Sequence, residues 1–486
     1  MFWKRDQSPP LSARQRVDLE LLLRRTAEII GRDFIQTATW VTDLSQLGLD
    51  HENRRSLVES TRLAILNRLP RCETNPTVRV VSRESLDQLS DYRPAKSAES
   101  PQHGSPVEVP VEISVEPPAE APASQTAATI EISDELIDDP LRLTMELASQ
   151  HALHFWHQVS PQHPLDLTPL TTQLLPICCG LGFLASDASL YDSQWSLVGY
   201  SGWTLSRSGY YTAQEIGYAL ATLSSLKIDL PSNWIDRLRP DSGQIAKRVL
   251  SLYQKKDDCK TLFNAQVIPS SKCSAERLNQ WVEGDSPDFA LAAMEALWLQ
   301  NRPLDAIESS VLERSRDKDP SVAHAATKLL GRLTRPSLSC ECRLGELIHH
   351  RDLAIAIEAI HASVASGINL EPQAKRISKI LERAGVYGIE LLETLAISKS
   401  SIPMIVPVLC RQLSQAVKQQ ASSDSLSGEM ENQTPSADKD ADFKSLEAWT
   451  RQLIRCLQNH SPDPILAISQ HCQNASEIKP LFHRPE

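Results

Sequence analysis

The residues best suited to chemistry lie on one predicted helix, Leu141 to His157, which carries Glu146, His151, His154 and His157. A zinc site that activates water from a single helix needs two histidines at i and i+4, so that both imidazoles reach one ion. It also needs a glutamate beside the first histidine to take the proton. Here the histidines stand three apart, and no carboxylate directly follows any of them. At ~100° per residue, each step of three turns the side chain by ~60°, so the three rings do not converge on one ion.

Two other readings of the helix stand beside that one. A rearranged metal site would draw on His151, His154 and His157 with His163 or Asp166. The bland reading makes the histidines ordinary neighbours of a core anchor at Phe155 and Trp156. One frame upstream, Met145-Glu146-Leu147-Ala148-Ser149 keeps the glutamate but puts Met and Ser where imidazoles would stand.

The remaining candidates are weaker. Cys340-x-Cys342 with His349 and His350 has metal-ligand types, but the residues between them read as a helix rather than as paired knuckle turns. Cys178-Cys179 is adjacent and apolar on both sides, as buried thiols are, whereas a redox pair is normally Cys-x-x-Cys. Gly180-x-Gly182 lacks the third glycine and the lysine of a phosphate loop. Ser201, Ser206 and Ser208 lie near Asp192 without a Gly-x-Ser-x-Gly elbow. No residue is therefore assigned to catalysis, to a cofactor or to a metal.

The elements that would position these groups are mostly helical. Apolar spacing predicts a helical region over residues 11–90, with a short strand at Thr77 to Val81, where β-branched residues alternate. Residues 91–127, rich in Pro, Ser, Ala and Glu, read as a disordered linker. A middle domain over 128–230 opens with a strand at Thr129 to Ile132. Helices follow over Pro140 to Gln158, Pro169 to Leu184 and Thr212 to Leu226. Residues 419–442 read as a second linker, and 443–486 as C-terminal helices.

Residues 231–418 carry a repeat. Phe289, Val322, Leu353 and Tyr387 stand 33, 31 and 34 residues apart, the period of stacked helical hairpins. A small residue follows each anchor (Ala290, Ala323, Ala354, Gly388). An aliphatic falls eight positions after the anchor at Leu297, Leu330 and Leu395, while the third segment has His361 there and Ile360 one earlier. Asp319-Pro320-Ser321 and Asp285-Ser286-Pro287 supply caps and first-turn prolines.

The run Asp319 to Leu333, with its Asp-Pro, small-residue helix and Leu-Gly-x-Leu ending, resembles the HEAT-repeat pattern. That resemblance implies an α-solenoid whose concave face binds another macromolecule. The middle region resembles an uncharacterised group of zincin-like domains, metallopeptidase-like in fold. The likeness rests on the strand and Asp-Pro before the helix, on Leu167 to Leu175, on Gly180-Leu181-Gly182-Phe183, on Gly209-Tyr210-Tyr211-Thr212 and on Glu215 to Leu220. It implies that Met145 and Ser149 replace both histidine ligands, that Thr168 stands where an acidic ligand belongs, and that Glu146 alone survives.

The expected fold class is thus mainly α, with a small α+β zincin-like middle domain followed by an α-solenoid of HEAT-like hairpins. A net charge of −11 argues against nucleic acid as the partner. The best candidate for a local basic stripe, Arg14, Arg16, Arg24 and Arg25, reads as a solvated helix face. No run reaches the ~18 apolar residues of a membrane span. With no signal-peptide core and ten cysteines lacking a secreted framework, the expected location is the cytoplasm. The expected function is protein binding through the solenoid; the alternative is a divergent zinc-dependent hydrolase with a recruiting arm.

Overall fold

A computed structural model of the chain describes residues 10–71, 76–81, 113–114, 129–159, 169–197, 200–207, 209–227, 230–255, 261–300, 304–384, 388–398, 402–427, 437–472 and 474–478. The side chains of 191–207 are not among them. The protein is mainly α-helical and divides into two compact units, Met1–Val267 and Ile268–Glu486.

The first unit begins with α1 (Ala13–Ile30), started by a Ser12/Gln15 capping box. Then come α2 (Arg32–Thr37), α3 (Arg54–Leu66), β1 (Thr77–Val81), β2 (Ile113–Ser114) and β3 (Thr129–Ser133). β1 pairs parallel with β3, Thr77 opposite Thr129, and antiparallel with β2, Val80 opposite Ile113. Alternation puts Val78, Val80, Ile130 and Ile132 on the buried face. The expected strands at 77–81 and 129–132 are both present, and β2 falls inside the segment read as a linker.

Next come α4 (Pro140–Val159), α5 (Pro169–Pro176), a π-helical turn at Ile177–Leu181, and α6 (Gly182–Ala188). The hairpin β4 (Leu190–Leu197) with β5 (Tyr200–Arg207) follows, then α7 (Ala213–Ser224) and α8 (Pro240–Lys255). The single helix expected over 169–184 is broken at Gly180, whose φ is 96°. A Cβ there would run into the Thr39 carbonyl oxygen, so glycine is required by both backbone and space. The Gly180 carbonyl in turn accepts the Val41 N–H at 2.8 Å.

Two apolar cores meet at this turn. Ile177, Cys178 and Phe183 join one with Leu19 and Leu23 of α1, Tyr218 and Leu220 of α7, Val249 of α8 and Phe263. Cys179, Leu181 and Leu184 join the other with Val58 and Ile65 of α3, the sheet, and Leu147 and Trp156 of α4. The boundaries drawn from sequence at 90 and 230 do not separate these residues, because helices on either side of each share a core. Propensity marks the elements but not which of them share an interior.

The second unit is a succession of helices, α9 (Ala275–Glu283), α10 (Pro287–Gln300), α11 (Glu308–Arg314), α12 (Pro320–Leu330), α13 (Leu338–Ile348), α14 (Leu353–Ala365), α15 (Ala374–Ala384), α16 (Ile389–Ala396), α17 (Val406–Ser427), α18 (Ala437–His460), α19 (Pro464–His471) and α20 (Ala475–Ile478). They alternate between two layers. In one, α9 touches α11, α11 touches α13 and α15 touches α17; in the other, α10, α12, α14, α16 and α18 pack in order. Phe289 and Val322 are buried near the starts of α10 and α12, while Tyr387 lies outside the described residues.

The succession differs from the sequence reading at both ends. α8 belongs to the first unit, so the second begins at Ile268 rather than 231. At the other end, α17 runs on to Ser427 and α18 starts at Ala437, inside the stretch read as a linker, and α18 supplies the next helix of the second layer. No helix among the described residues is long and apolar enough to cross a membrane.

Candidate functional site

On α4 the three histidines go to different environments. His151 is 1% exposed, and neither ring nitrogen has a hydrogen-bond partner. Burial, then the nearby Arg62 guanidinium and His154, push its pKa down to about 4, so it is neutral at pH 7. His154 shares a 3.0 Å hydrogen bond with Gln158, and His157 is exposed. Trp156 anchors the helix by donating from Nε1 to the Thr171 carbonyl oxygen at 3.1 Å.

Glu146 accepts from Gln150 Nε2 at 2.9 Å, one turn along its own helix, and Met145 packs against the neighbouring core. Thr168, His163 and Asp166 lie outside the described residues. Among the described residues no group of three His, Cys, Asp or Glu side chains gathers as a metal site.

The other sequence candidates are likewise separated. Cys178 and Cys179 enter different cores, and burial pushes the Cys178 thiol up to about 12. Cys340 is buried and Cys342 exposed, two residues apart on α13 and therefore on different faces. His349 hydrogen-bonds Gln373 Oε1 at 2.7 Å, and His350 Nδ1 accepts from the Asp352 N–H. In the β-hairpin, Asp192 pairs with Leu205 while Ser206 pairs with Tyr191 and Ser201 with Ser196; Ser208 lies outside the described residues.

The four arginines of α1 are all engaged within the first unit. Arg14 pairs with Asp18 and Arg25 with Glu28, while buried Arg16 donates to the Leu11 carbonyl oxygen. Arg24 pairs with Glu28 and donates to the carbonyl oxygens of Leu262 and Ala265. Beside it, buried Glu20 accepts from Tyr218 Oη and from the Leu262 N–H. Together these contacts hold the 261–265 segment against α1.

Two features of the second unit escape local pattern reading. The first is a set of arginine staples between successive first-layer helices. Arg314 of α11 donates to the carbonyl oxygens of Val282 and Gly284 at the end of α9. Arg343 of α13 donates to Ser315 O and Oγ beyond α11, at 2.8 and 2.9 Å. Arg376 of α15 donates to Ile348 O at 3.1 Å and His350 O at 2.9 Å, at the end of α13. Each staple satisfies carbonyls that a helix end leaves unpaired. The arginines stand 29 and 33 residues apart, close to the repeat period.

The second feature is a polar ridge across the second layer. Trp298 of α10, 36% exposed, lies under Lys328 Nζ at 4.3 Å and the Arg332 guanidinium at 5.0 Å from α12 and its end. Neighbouring Leu299 is 72% exposed. Farther along, Glu358 Oε2 of α14 lies 3.7 Å from His324 Nε2 and 3.9 Å from His361 Nδ1. Burial raises the Glu358 pKa against the pull of Lys328, and burial lowers that of His361. The sequence signal was His361 itself, the one position where the aliphatic pattern failed.

No protein-family model, no curated protein and no solved structure matches the chain.

Proposed function

We propose that this chain is a non-enzymatic interaction protein: a HEAT-like α-solenoid in the second unit binds a protein partner, and residues 128–230 form a zincin-like module that has lost its metal ligands. The observation that carries this reading is the alternating two-layer succession of helices with a cluster on its second layer in which half-buried Lys328 and Arg332 cover the exposed Trp298. Tryptophan and arginine are the side chains most concentrated at binding hot spots. A cation held on an aromatic face is already ordered, so its capture by a partner loses little side-chain entropy. For the zincin-like module, Glu146 bound to Gln150 has no imidazole beside it to hold the ion that a general base would serve.

The test uses the full chain as bait, with Lys328→Glu/Arg332→Glu and with Lys247→Glu on the first unit as a control. The expected result is a partner retained by the wild type and the control but lost by the ridge variant, roughly tenfold or more in affinity. Retention by the ridge variant overturns the ridge as the binding element. Stoichiometric zinc in the purified protein, lost on His151→Ala or His154→Ala, overturns the non-catalytic reading in favour of a divergent hydrolase.

A further inference from the structure

The C-terminal end of the second unit brings two cysteines together from distant parts of the sequence. Cys410 lies in the first turns of α17 and is fully buried; Cys472 caps the end of α19 and is 8% exposed. Cys472 Sγ donates to the Cys410 carbonyl oxygen at 3.2 Å. One turn along α17, Ser414 Oγ donates to Asn474 Oδ1, and Asn474 Nδ2 reaches the Ser414 carbonyl at 3.5 Å. The two segments are therefore held in register at two successive levels. Both thiols are free.

Their environment divides two roles between them. Cys472, 8% exposed against 0% for Cys410, is the thiol that a small oxidant reaches first, and the interaction between the two side chains lowers its pKa while the same interaction and burial raise that of Cys410. Cys456 in α18 and Cys340 in α13 lack such a partner, and burial pushes each up to about 12. Among the described cysteines, Cys472 alone combines a lowered pKa with a second thiol against it.

We infer that Cys410 and Cys472 form an oxidisable dithiol that takes hydrogen peroxide and closes a disulfide between α17 and the end of α19. Cys472 first gives up to water the proton it donates to the Cys410 carbonyl; its thiolate then attacks one peroxide oxygen and the O–O bond breaks. Hydroxide leaves, to be protonated to water, and Cys472 is now a sulfenic acid. Cys410 sulfur then attacks Cys472 sulfur; the S–O bond breaks, and the hydroxyl leaves with the Cys410 proton as a second water. Two thiols lose two electrons and one peroxide gains them. The product staples α19 and α20 to the end of the helical succession.

The experiment treats the native full-length protein with a small excess of hydrogen peroxide near neutral pH, then maps thiols and linked peptides by mass spectrometry of a non-reduced digest. The expected result is a Cys410/Cys472 linked peptide, lighter than the two thiol peptides by two hydrogens and removed by reductant. Cys472→Ser should leave Cys410 as a thiol. Cys410→Ser should stop the reaction at a Cys472 sulfenic acid that a dimedone-type reagent traps, provided its circular dichroism matches wild type. The proposal is overturned if peroxide oxidises exposed Cys342 while Cys472 stays reduced. It is equally overturned if the linked peptide forms only after unfolding in urea.

Discussion

His151 shows what a single buried titratable group does to this fold. Its folded pKa of about 4 lies below the ordinary 6.5, so the unfolded chain binds the extra proton first as pH falls. Its contribution to stability is fully present above pH 6.5 and is lost as pH drops through about 4. A shift of that size corresponds to about 3 kcal/mol. His151→Leu should therefore flatten the acid limb of a plot of urea midpoint against pH, leaving stability near neutrality much less changed. An unchanged acid limb would show that the imidazole is not held neutral by burial. His460 illustrates the satisfied alternative: its Nδ1 accepts the Ile402 N–H at 3.2 Å and its Nε2–H donates to the Leu395 carbonyl oxygen at 2.9 Å.

At the scale of elements, close backbone approach and helix-end satisfaction set the packing. Gly180 combines a positive φ with contact against the Thr39 carbonyl, so Gly180→Ala should lower the stability of the first unit by about 2 kcal/mol or more. Gly217 of α7 lies against the Ser242 main chain of α8 and leaves the same lack of room. In the second unit, each arginine staple spans two carbonyl oxygens, or a carbonyl and a hydroxyl. Arg376→Ala should cost about 2 kcal/mol, the usual range for hydrogen bonds from a charged donor. Arg376→Lys should recover only part, since an ammonium lacks the planar fork. Equal stability of both variants and wild type in chemical denaturation would remove the staples as a packing device.

For the whole molecule, the division between Val267 and Ile268 leaves each unit with its own buried interior. Fragments 1–267 and 268–486 should each be soluble and melt cooperatively by circular dichroism; a broad, non-cooperative melt of either fragment would contradict this. The second unit should respond to deletion gradually. Removing the segment after His460 takes away α19 and α20, which pack on α17, and should lower its melting temperature without abolishing helicity, because each helix pair depends chiefly on its neighbours.

The amino-acid sequence by itself determined what is local. Alternating β-branched residues marked β1 and β3, Pro140 with helical spacing marked α4, and Asp319-Pro320-Ser321 marked the start of α12, where the Asp319 side chain caps the Ser321 N–H at 2.9 Å. The small residue and the aliphatic of the expected period are buried on α10 (Ala290, Leu297) and α12 (Ala323, Leu330), but on α14 the register fails, with Leu353 half-buried and Ala354 exposed while Ile355 and Ile360 are buried. Failed spacing on α4 also separated the histidines before any coordinate did. Only tertiary structure decided that Cys178 and Cys179 enter different cores, that the helices continue past residue 418 into α18, and that Arg343 reaches Ser315 and Cys472 reaches Cys410. Propensity and periodicity act over one or two turns of chain, whereas these contacts join residues 28 and 62 positions apart. Pairings over that distance are fixed by burial of shared apolar surface and satisfaction of helix ends, which no single segment encodes alone.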